Sequence, residues 1–510
     1  MIPIKLKSGF FKPIYFLSCL LLIILGVISR PVPLYAQDYF KMGVQEQERA
    51  NLDKAIEYYG LALKQDSGLL GAYVKRGLCY QDLSEFDLAL RDFKKANELK
   101  PGDPDIEMST GTTFFHLKDY QNALLYLTEA LKKMPDNANA QFDLGLTKNE
   151  LKDYKGALEA FDKAINLDPN KSQFYYCRAL SKDKLRDFNG AIEDCNSSIK
   201  LKHDYEKAYY LRAKEENESK LFDKALADLS VVIKMNPKNS KYYSEKGSIE
   251  YHMGLLLASI NDCDTAISIN SLNGEPFFNR ALSERDSGLV DSANADINVA
   301  NKLFKGKSPF VFMESAKINI YLGDYAKAAK AAENALKINP KFIYAQYEVA
   351  YSEHFLGNDT GASKILNQII KSDSSFTLAY WLLGDINYYA GDTSSARILF
   401  VKGSLSKGDP IGIAYCYAFM RDEEKAVTLM QAIIRFDDSV GLRIKSRDAL
   451  GDMAYVYGVT KNAGKFFQYI NEALEAGYAN KAWIENSKEL DYVRSEPFYK
   501  QLAGKYHLRR

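Results

Sequence analysis

The sequence predicts an all-α solenoid of about 12–13 helix-turn-helix repeats, and three observations carry that reading. An alanine recurs at Ala55, Ala89, Ala123, Ala157, Ala191 and Ala225, each 34 residues after the last. Its neighbours recur with it: Ala89 stands among Gly77, Phe93, Ala96 and Pro101, and Ala157 among Gly145, Phe161, Ala164 and Pro169 at the same offsets. Finally, an acidic residue followed by an aromatic returns at Asp119-Tyr120, Asp153-Tyr154, Asp187-Phe188 and Asp324-Tyr325. A period of this size marks one supersecondary unit copied along the chain, each copy burying its apolar face on the next.

Each element of the unit follows from packing. Small residues sit where two antiparallel helices touch. In the first helix, helix A, that slot holds Gly77, Gly111, Gly145 and Gly247, or Ala179, Ala213, Ala281, Ala316 and Ala350. Glycine inside a helix costs about 1 kcal/mol of propensity, so its recurrence signals close approach. In the second helix, helix B, the recurring alanine is followed seven residues on by Ala62, Ala96, Ala130, Ala164, Ala266, Ala300 or Ala335. Tyr59, Phe93, Leu127, Phe161 and Leu229 fill the space between. Pro101, Pro135, Pro169, Pro237 and Pro340 stop helix B, and the acid between A and B is placed to cap the incoming helix.

The register continues at Ser259, Ala293, Ala328, Ala362, Ala396 and Ala426, with one unit shortened near Gly408 to Pro410. Residues 37–438 divide into twelve repeats, of which the seventh, tenth and twelfth are the most degenerate. A thirteenth, longer pair runs from Leu442 to Tyr478 within a C-terminal region, 439–510. The junctions near Ser259 and Gly408 are expected to be the softest, where limited proteolysis would cut first.

The period and this small-and-aromatic pattern resemble the tetratricopeptide repeat (TPR) family. The closing stretch from Ala473 to Phe498, with Trp483 within it, is similar to a terminal segment of other bacterial TPR-type proteins, and reads as a cap over the last apolar face. The resemblance implies a right-handed superhelix whose concave groove is lined by helix A, at positions 2, 5, 9, 12 and 13 of each unit. Early repeats place Phe40, Phe115, Phe142, Tyr176 and Tyr210 there, among Gln47, Asn149, Lys214 and Asn217. Later repeats add Phe278 and Phe310, then the candidate partner-binding set Tyr344, Tyr347, Tyr351, Trp381, Asp385, Tyr388, Tyr389 and Tyr415. Tyr and Trp give large rigid contact area with a polar tip, which suits a peptide or helix of a partner protein, or a sugar ring. The competing reading is that these rings pack between adjacent repeats. The slots that grip a C-terminal carboxylate in one TPR subtype hold Val74, Leu78, Met108, Phe142, Leu146, Tyr176 and Leu180, which argues against such a clamp.

The first 36 residues differ from the rest. Lys5, Lys7 and Lys12 precede an apolar run from Ile14 to Ile28, then Arg30, two prolines and Tyr35-Ala36-Gln37. This is a signal-peptide layout with cleavage expected after Ala36, and its Ala-Gln junction is similar to export signals of Bacteroidetes-type bacteria. Retention as an uncleaved anchor is the alternative and the only route to a membrane; Cys19 lies inside the apolar run, where a lipidated cysteine does not belong. The expected address is the periplasm or cell envelope.

Sixty-seven basic and sixty-six acidic residues leave no basic excess for nucleic acid. The cysteines Cys79, Cys177, Cys195, Cys263 and Cys416 read as core residues, with a Cys177–Cys195 bridge conceivable across one repeat. No CxxC, HExxH, GxSxG or GxGxxG motif occurs, and Gly458 to Lys465 fails as a phosphate loop because Phe466 stands where Ser or Thr belongs. Five scattered histidines offer no pair at ligand spacing. No cofactor, metal or catalytic residue is expected. The chain reads as a non-enzymatic scaffold that binds other proteins, with a carbohydrate-binding protein using the same groove as the alternative.

Overall fold

A computed structural model describes residues 35–439, 443–478 and 480–508, with side chains from 436 to 447 left aside. The apolar run from Ile14 to Ile28 lies outside the described residues, and none of the described helices is long and apolar enough to cross a membrane. Among the described residues there are 29 α-helices, one short 3-10 helix and no strand. Twenty-six of the helices form thirteen A/B hairpins, the solenoid that the 34-residue period predicts. They fall into two compact units, ending at His203 and beginning at Asp204.

The first unit holds five hairpins, from Ala36–Glu48 with Leu52–Gln65 to Ser172–Lys184 with Phe188–Leu201. Its core repeats one contact. A Cβ on Gly77 would stand 2.8 Å from the Phe93 ring, and one on Gly145 would stand 2.5 Å from the Phe161 ring. Both rings are fully buried. The slot also takes other pairs: Gly111 meets Leu127 and Gly247 meets Cys263, while Ala179 pairs with Cys195 in this register, both fully buried. In the second unit Ala213, Ala281 and Ala350 pair likewise with Leu229, Ile297 and Leu366. What recurs is a small residue in helix A packed on a buried one sixteen positions later.

The turn between A and B repeats as closely. One residue per hairpin takes a left-handed conformation: Ala50, Ser84, Lys118, Lys152, Arg186 and Lys220, then Gly254, Gly288, Gly323, Gly357 and Gly391, then Arg421 and Lys461. It ends helix A by the usual left-handed cap. The acids that follow behave as expected: Asp119, Asp153, Asp187 and Asp324 accept the backbone N–H of Asn122, Gly156, Gly190 and Lys327. Helix B ends at Leu99, Lys133, Leu167, Met235 and Ile338, each two residues before one of the expected prolines.

The second unit holds eight hairpins, from Glu206–Glu218 with Phe222–Met235 to Arg443–Val459 with Ala463–Glu475. Ser259 is fully buried at the alanine position, and its hydroxyl meets that of Ser283 at 2.7 Å. Gly408, in the shortened repeat, leaves no room for a side chain, since a Cβ would fall 1.7 Å from the Ser375 carbonyl oxygen. All five described cysteines are buried thiols; Cys177 and Cys195 form no disulfide, because each is taken up in the helix packing of its own repeat. Burial pushes the Cys263 and Cys416 thiols up to about 12.

A second periodicity, absent from the apolar pattern, links the two helices of a hairpin by charge. In the first unit Arg76 forks onto Asp92 at 2.7 and 2.8 Å, and Arg178 reaches Asp194 at 2.5 Å. In the second, Arg212 pairs with Asp228 at 2.6 Å, Lys246 with Asp262 at 2.6 Å and Arg280 with Asp296 at 2.5 Å. Beside these three pairs lie Glu216, Glu250 and Glu284, buried, each with Oε2 lacking a hydrogen-bond partner. Burial first, then the neighbouring aspartate, pushes Glu216 and Glu284 up to about 7, and Glu250 is raised in the same way. An acid whose folded-state pKa lies above its unfolded value of about 4.5 holds a proton that the unfolded chain has lost, so stability falls as pH rises between those values.

Two predictions follow from these layers. Gly145→Ala lowers stability by about 1–3 kcal/mol through the Phe161 ring. Adding Phe161→Leu recreates the Ala213/Leu229 pairing, so a double-mutant cycle read by urea denaturation shows a favourable coupling of about 1 kcal/mol. The triple variant Glu216→Gln, Glu250→Gln, Glu284→Gln gains of order 1–3 kcal/mol per position above pH 8 and little at pH 5, which thermal melts across that range measure.

Candidate functional site

Six successive A helices of the second unit turn one side toward a single cavity of about 620 Å³. They are Glu275–Asp286, Pro309–Tyr321, Ile343–Phe355, Thr377–Tyr389, Pro410–Phe419 and Arg443–Val459. Its remaining wall is the C-terminal segment, from Tyr478 through helix Lys481–Asn486 to the 3-10 turn Lys488–Leu490. That segment reaches back along the unit: a Cβ on Gly323 would meet the Ala482 Cβ at 3.7 Å, and one on Gly288 the Gly477 carbonyl at 3.7 Å.

Of the eight residues expected to line a groove, Tyr347, Tyr351, Trp381, Asp385 and Tyr415 come together in this cavity. Within it Tyr347, Trp381, Asp385 and Tyr415 are buried. The C-terminal segment covers them, and helix A periodicity alone carries no sign of that. Tyr344, Tyr388 and Tyr389 lie outside most of this wall, 56%, 39% and 38% exposed. Several other rings of the expected groove pack between repeats: Phe142 stacks on Phe174 at 4.7 Å, Tyr210 lies 5.0 Å from Tyr242, Phe310 5.6 Å from Phe342 and Tyr344 5.4 Å from Phe376. Each pair is 32 residues apart, the distance from the groove side of one helix A to the start of the next.

Within the cavity the rings stand at steep angles. Trp381 lies 5.0 Å from Tyr415 at 55° and 5.8 Å from Tyr455 at 89°. Tyr455 meets Tyr415 at 4.7 Å and Trp483 at 5.4 Å, again nearly edge-on. The indole Nε1 of Trp483 donates to the Tyr478 hydroxyl at 2.5 Å. These contacts form a box rather than a flat platform.

Charge fills the gaps between rings. One end is a buried network in which Arg285 donates to Asp286 at 2.7 Å, to Glu314, and to the Tyr251 hydroxyl at 3.2 Å. Tyr251 in turn donates to Asp286 at 2.9 Å. Along the walls, Tyr415 donates to Asp452 at 2.5 Å, Tyr455 to Glu489 at 2.7 Å, and His354 Nδ1 lies 2.6 Å from Asp359. Burial pushes Glu348 and Asp452 up to about 7. It pushes Asp385 well above the carboxylate range, with Glu489 as the next cause. Seven acids, Glu348, Asp359, Asp385, Asp409, Asp448, Asp452 and Glu489, thus face the cavity against Arg285, Lys317 and Lys488. Among the described residues no cluster of His, Cys, Asp and Glu has the geometry to hold a metal ion.

The residues that sequence reasoning missed are Tyr455, Asp452, Trp483, Lys488 and Glu489. Tyr455 carried a usable signal, since it falls on the A helix of the thirteenth hairpin. Glu489 carried none: Arg494 ties the turn that presents it, donating to the carbonyls of Ile484 at 2.8 Å and Ser487 at 2.5 Å.

Comparison with known proteins agrees with the hairpin architecture. Models described as tetratricopeptide repeat match residues 74–135, 114–180 and 311–342. The chain carries tetratricopeptide repeats. Among solved structures, yeast Tom70 is 17% identical, with 80% of this chain and 99% of that chain covered at a TM-score of 0.38. YrrB, described as a TPR protein with an unusual peptide-binding site, is 24% identical over 35% of this chain and 92% of its own, at a TM-score of 0.32. MamA of Desulfovibrio magneticus RS-1 is 20% identical over 33% and 96%, at a TM-score of 0.32. No curated protein matches. The match at 311–342 covers most of the A helix Pro309–Tyr321, which forms part of the cavity wall.

Buried and exposed members of the tyrosine set respond differently to truncation. Trp381→Ala destabilises the fold by about 3–5 kcal/mol, as expected for a packed aromatic. Tyr388→Ala changes stability by less than about 1 kcal/mol, and thermal melts of the two variants side by side separate them.

Proposed function

We propose that this protein is a non-enzymatic scaffold of the cell envelope that binds partner proteins through the A-helix face of its C-terminal tetratricopeptide repeats. The observation that carries the reading is the convergence of six helices and the C-terminal segment on one aromatic, acidic cavity, with exposed tyrosines beside it. A solenoid has no need of such a cavity for stability, because each hairpin is already closed by its own small-to-aromatic contact. Tyr388 and Tyr389 pack edge to face at 5.2 Å, and Lys488 stands 5.6 Å from the Tyr389 ring, giving a rigid landing area of the kind that dominates protein hot spots. The envelope address rests on the N-terminal charge and apolar pattern of residues 1–36.

A carbohydrate ligand is the second reading, and the indole of Trp381 would be its stacking surface. The steep ring angles favour the first, since a sugar ring needs an accessible flat face.

A crosslinked pull-down from envelope extract, run beside a Tyr344→Ala, Tyr388→Ala, Tyr389→Ala variant, tests the proposal. These positions are exposed, so the variant keeps its fold by circular dichroism. The parent is expected to capture proteins that the variant loses. Identical captures would overturn the assignment of binding to this face.

A further inference from the structure

We infer that the cavity of the second unit is a recognition site for an organic cation, an ammonium or guanidinium group held by the paired carboxyls of Asp385 and Glu489 beside the rings of Trp381, Tyr415, Tyr455 and Trp483. This deepens the scaffold reading and rests on it.

Several of the cavity acids have evident partners. Asp359 faces His354, Asp452 accepts from Tyr415, and Asp409 caps helix Pro410–Phe419 by accepting from Gly412 N–H. Asp385 is different. It is 4% exposed, its Oδ1 has no hydrogen-bond partner, its Oδ2 lies 3.7 Å from His354 Nε2, and its carboxyl is in hydrogen-bond contact with that of Glu489. Nearby, the Trp381 indole is 8% exposed and its Nε1 also lacks a partner. Buried polar atoms in native proteins are nearly always hydrogen-bonded, so a paired set of such atoms facing one cavity marks a ligand position.

The chemistry of the surroundings selects the ligand class. Burial first, then repulsion by Glu489 and the hydrogen bond that the retained proton makes with it, hold Asp385 well above the ordinary carboxylate range. A cation bound against the pair takes the place of the shared proton, which leaves to solvent, and neutralises the charge that burial disfavours. Four aromatic rings line the same cavity as these carboxyls, and aromatic rings attract ammonium and guanidinium groups through their electron-rich faces. Lys488 lies 5.6 Å from the centre of the Tyr389 ring and offsets the Asp385 charge only in part, so Asp385 stays well above the carboxylate range. The unpartnered Trp381 N–H adds a donor for a carbonyl oxygen, as a lysine or arginine within a peptide would supply.

The chain has two tryptophans, Trp381 and Trp483, and both line this cavity, so intrinsic emission reports on it alone. The full chain is titrated with three probes: 1,5-diaminopentane, a blocked peptide with a central lysine, and the same peptide with that lysine Nε-acetylated. The lysine peptide or the diamine is expected to shift tryptophan emission, the acetylated peptide to bind at least tenfold more weakly, and Asp385→Asn to weaken the cation at least tenfold. Far-UV circular dichroism checks that this isosteric variant is folded, and Glu489→Gln is the second variant. Tighter binding of the peptide than of the diamine assigns the cation to a partner protein; the reverse assigns it to a free amine. Equal binding of the acetylated peptide, or no emission change with either cation, overturns the inference. The scaffold proposal is read separately by the exposed-tyrosine pull-down, so a difference there with silent tryptophans would sink only the cation site.

Discussion

The distance between helix A and helix B is fixed by a shared volume. A residue without a side chain, or with one methyl group, faces a buried side chain sixteen positions later, most often a ring or branched chain, and the two together fill the gap. Gly145 with Phe161 and Ala213 with Leu229 solve the same problem with different residues. Close packing leaves little slack for either solution to drift, since interiors have crystal-like density. Everything else in the repeat depends on that spacing: it sets where the left-handed turn residue falls, brings Arg76 within reach of Asp92, and orients the rest of helix A away from helix B.

The charged ladder shows what the spacing makes available. Arg and Asp sixteen residues apart meet at hydrogen-bond distance in Arg76, Arg178, Arg212 and Arg280, and Lys246 substitutes for Arg with a single contact to Asp262. The fork geometry of guanidinium explains the preference for Arg, because two parallel bonds fix orientation as well as distance. The ladder has costs where Glu216, Glu250 and Glu284 crowd the same aspartates. Those acids sit at intervals of 34, as if one arrangement had been copied with its strain.

The hairpins were legible from sequence because their determinants are local and repeated. Spacing between Ala55 and Ala225 fixed the period, the acids at Asp119 and Asp153 marked the helix starts, and the prolines marked the ends. The expected groove residues were legible in part, for a physical reason. Helix A has one face toward helix B and a narrow margin between the next repeat and open space, so Phe142 and Tyr210 turn out to pack on the following repeat while Trp381 and Tyr415 face the cavity. The closure of that cavity was illegible. It depends on a segment whose contacts, from Ala482 to the turn at Gly323 and from Glu489 to Tyr455, are non-local and occur once, so no periodicity reports them.

That closure changes the chemistry of the face it covers. An open solenoid wall would leave its carboxylates solvated, with ordinary affinity for protons and weak attraction for any ligand. Covering it lowers the local dielectric, which raises Glu348 and Asp452 toward neutrality and strengthens every charge interaction that remains. The same segment that buries the acids also contributes Glu489, held by the Arg494-tied turn opposite Asp385. A cap whose only task was to shield the last hairpin would need Leu490 and Val493 on that hairpin and nothing more. The extension from Gly477 to Glu489 along six A helices, with two carboxyls and an indole N–H directed into the space it encloses, is the part of the fold that capping leaves unexplained and that ligand recognition explains.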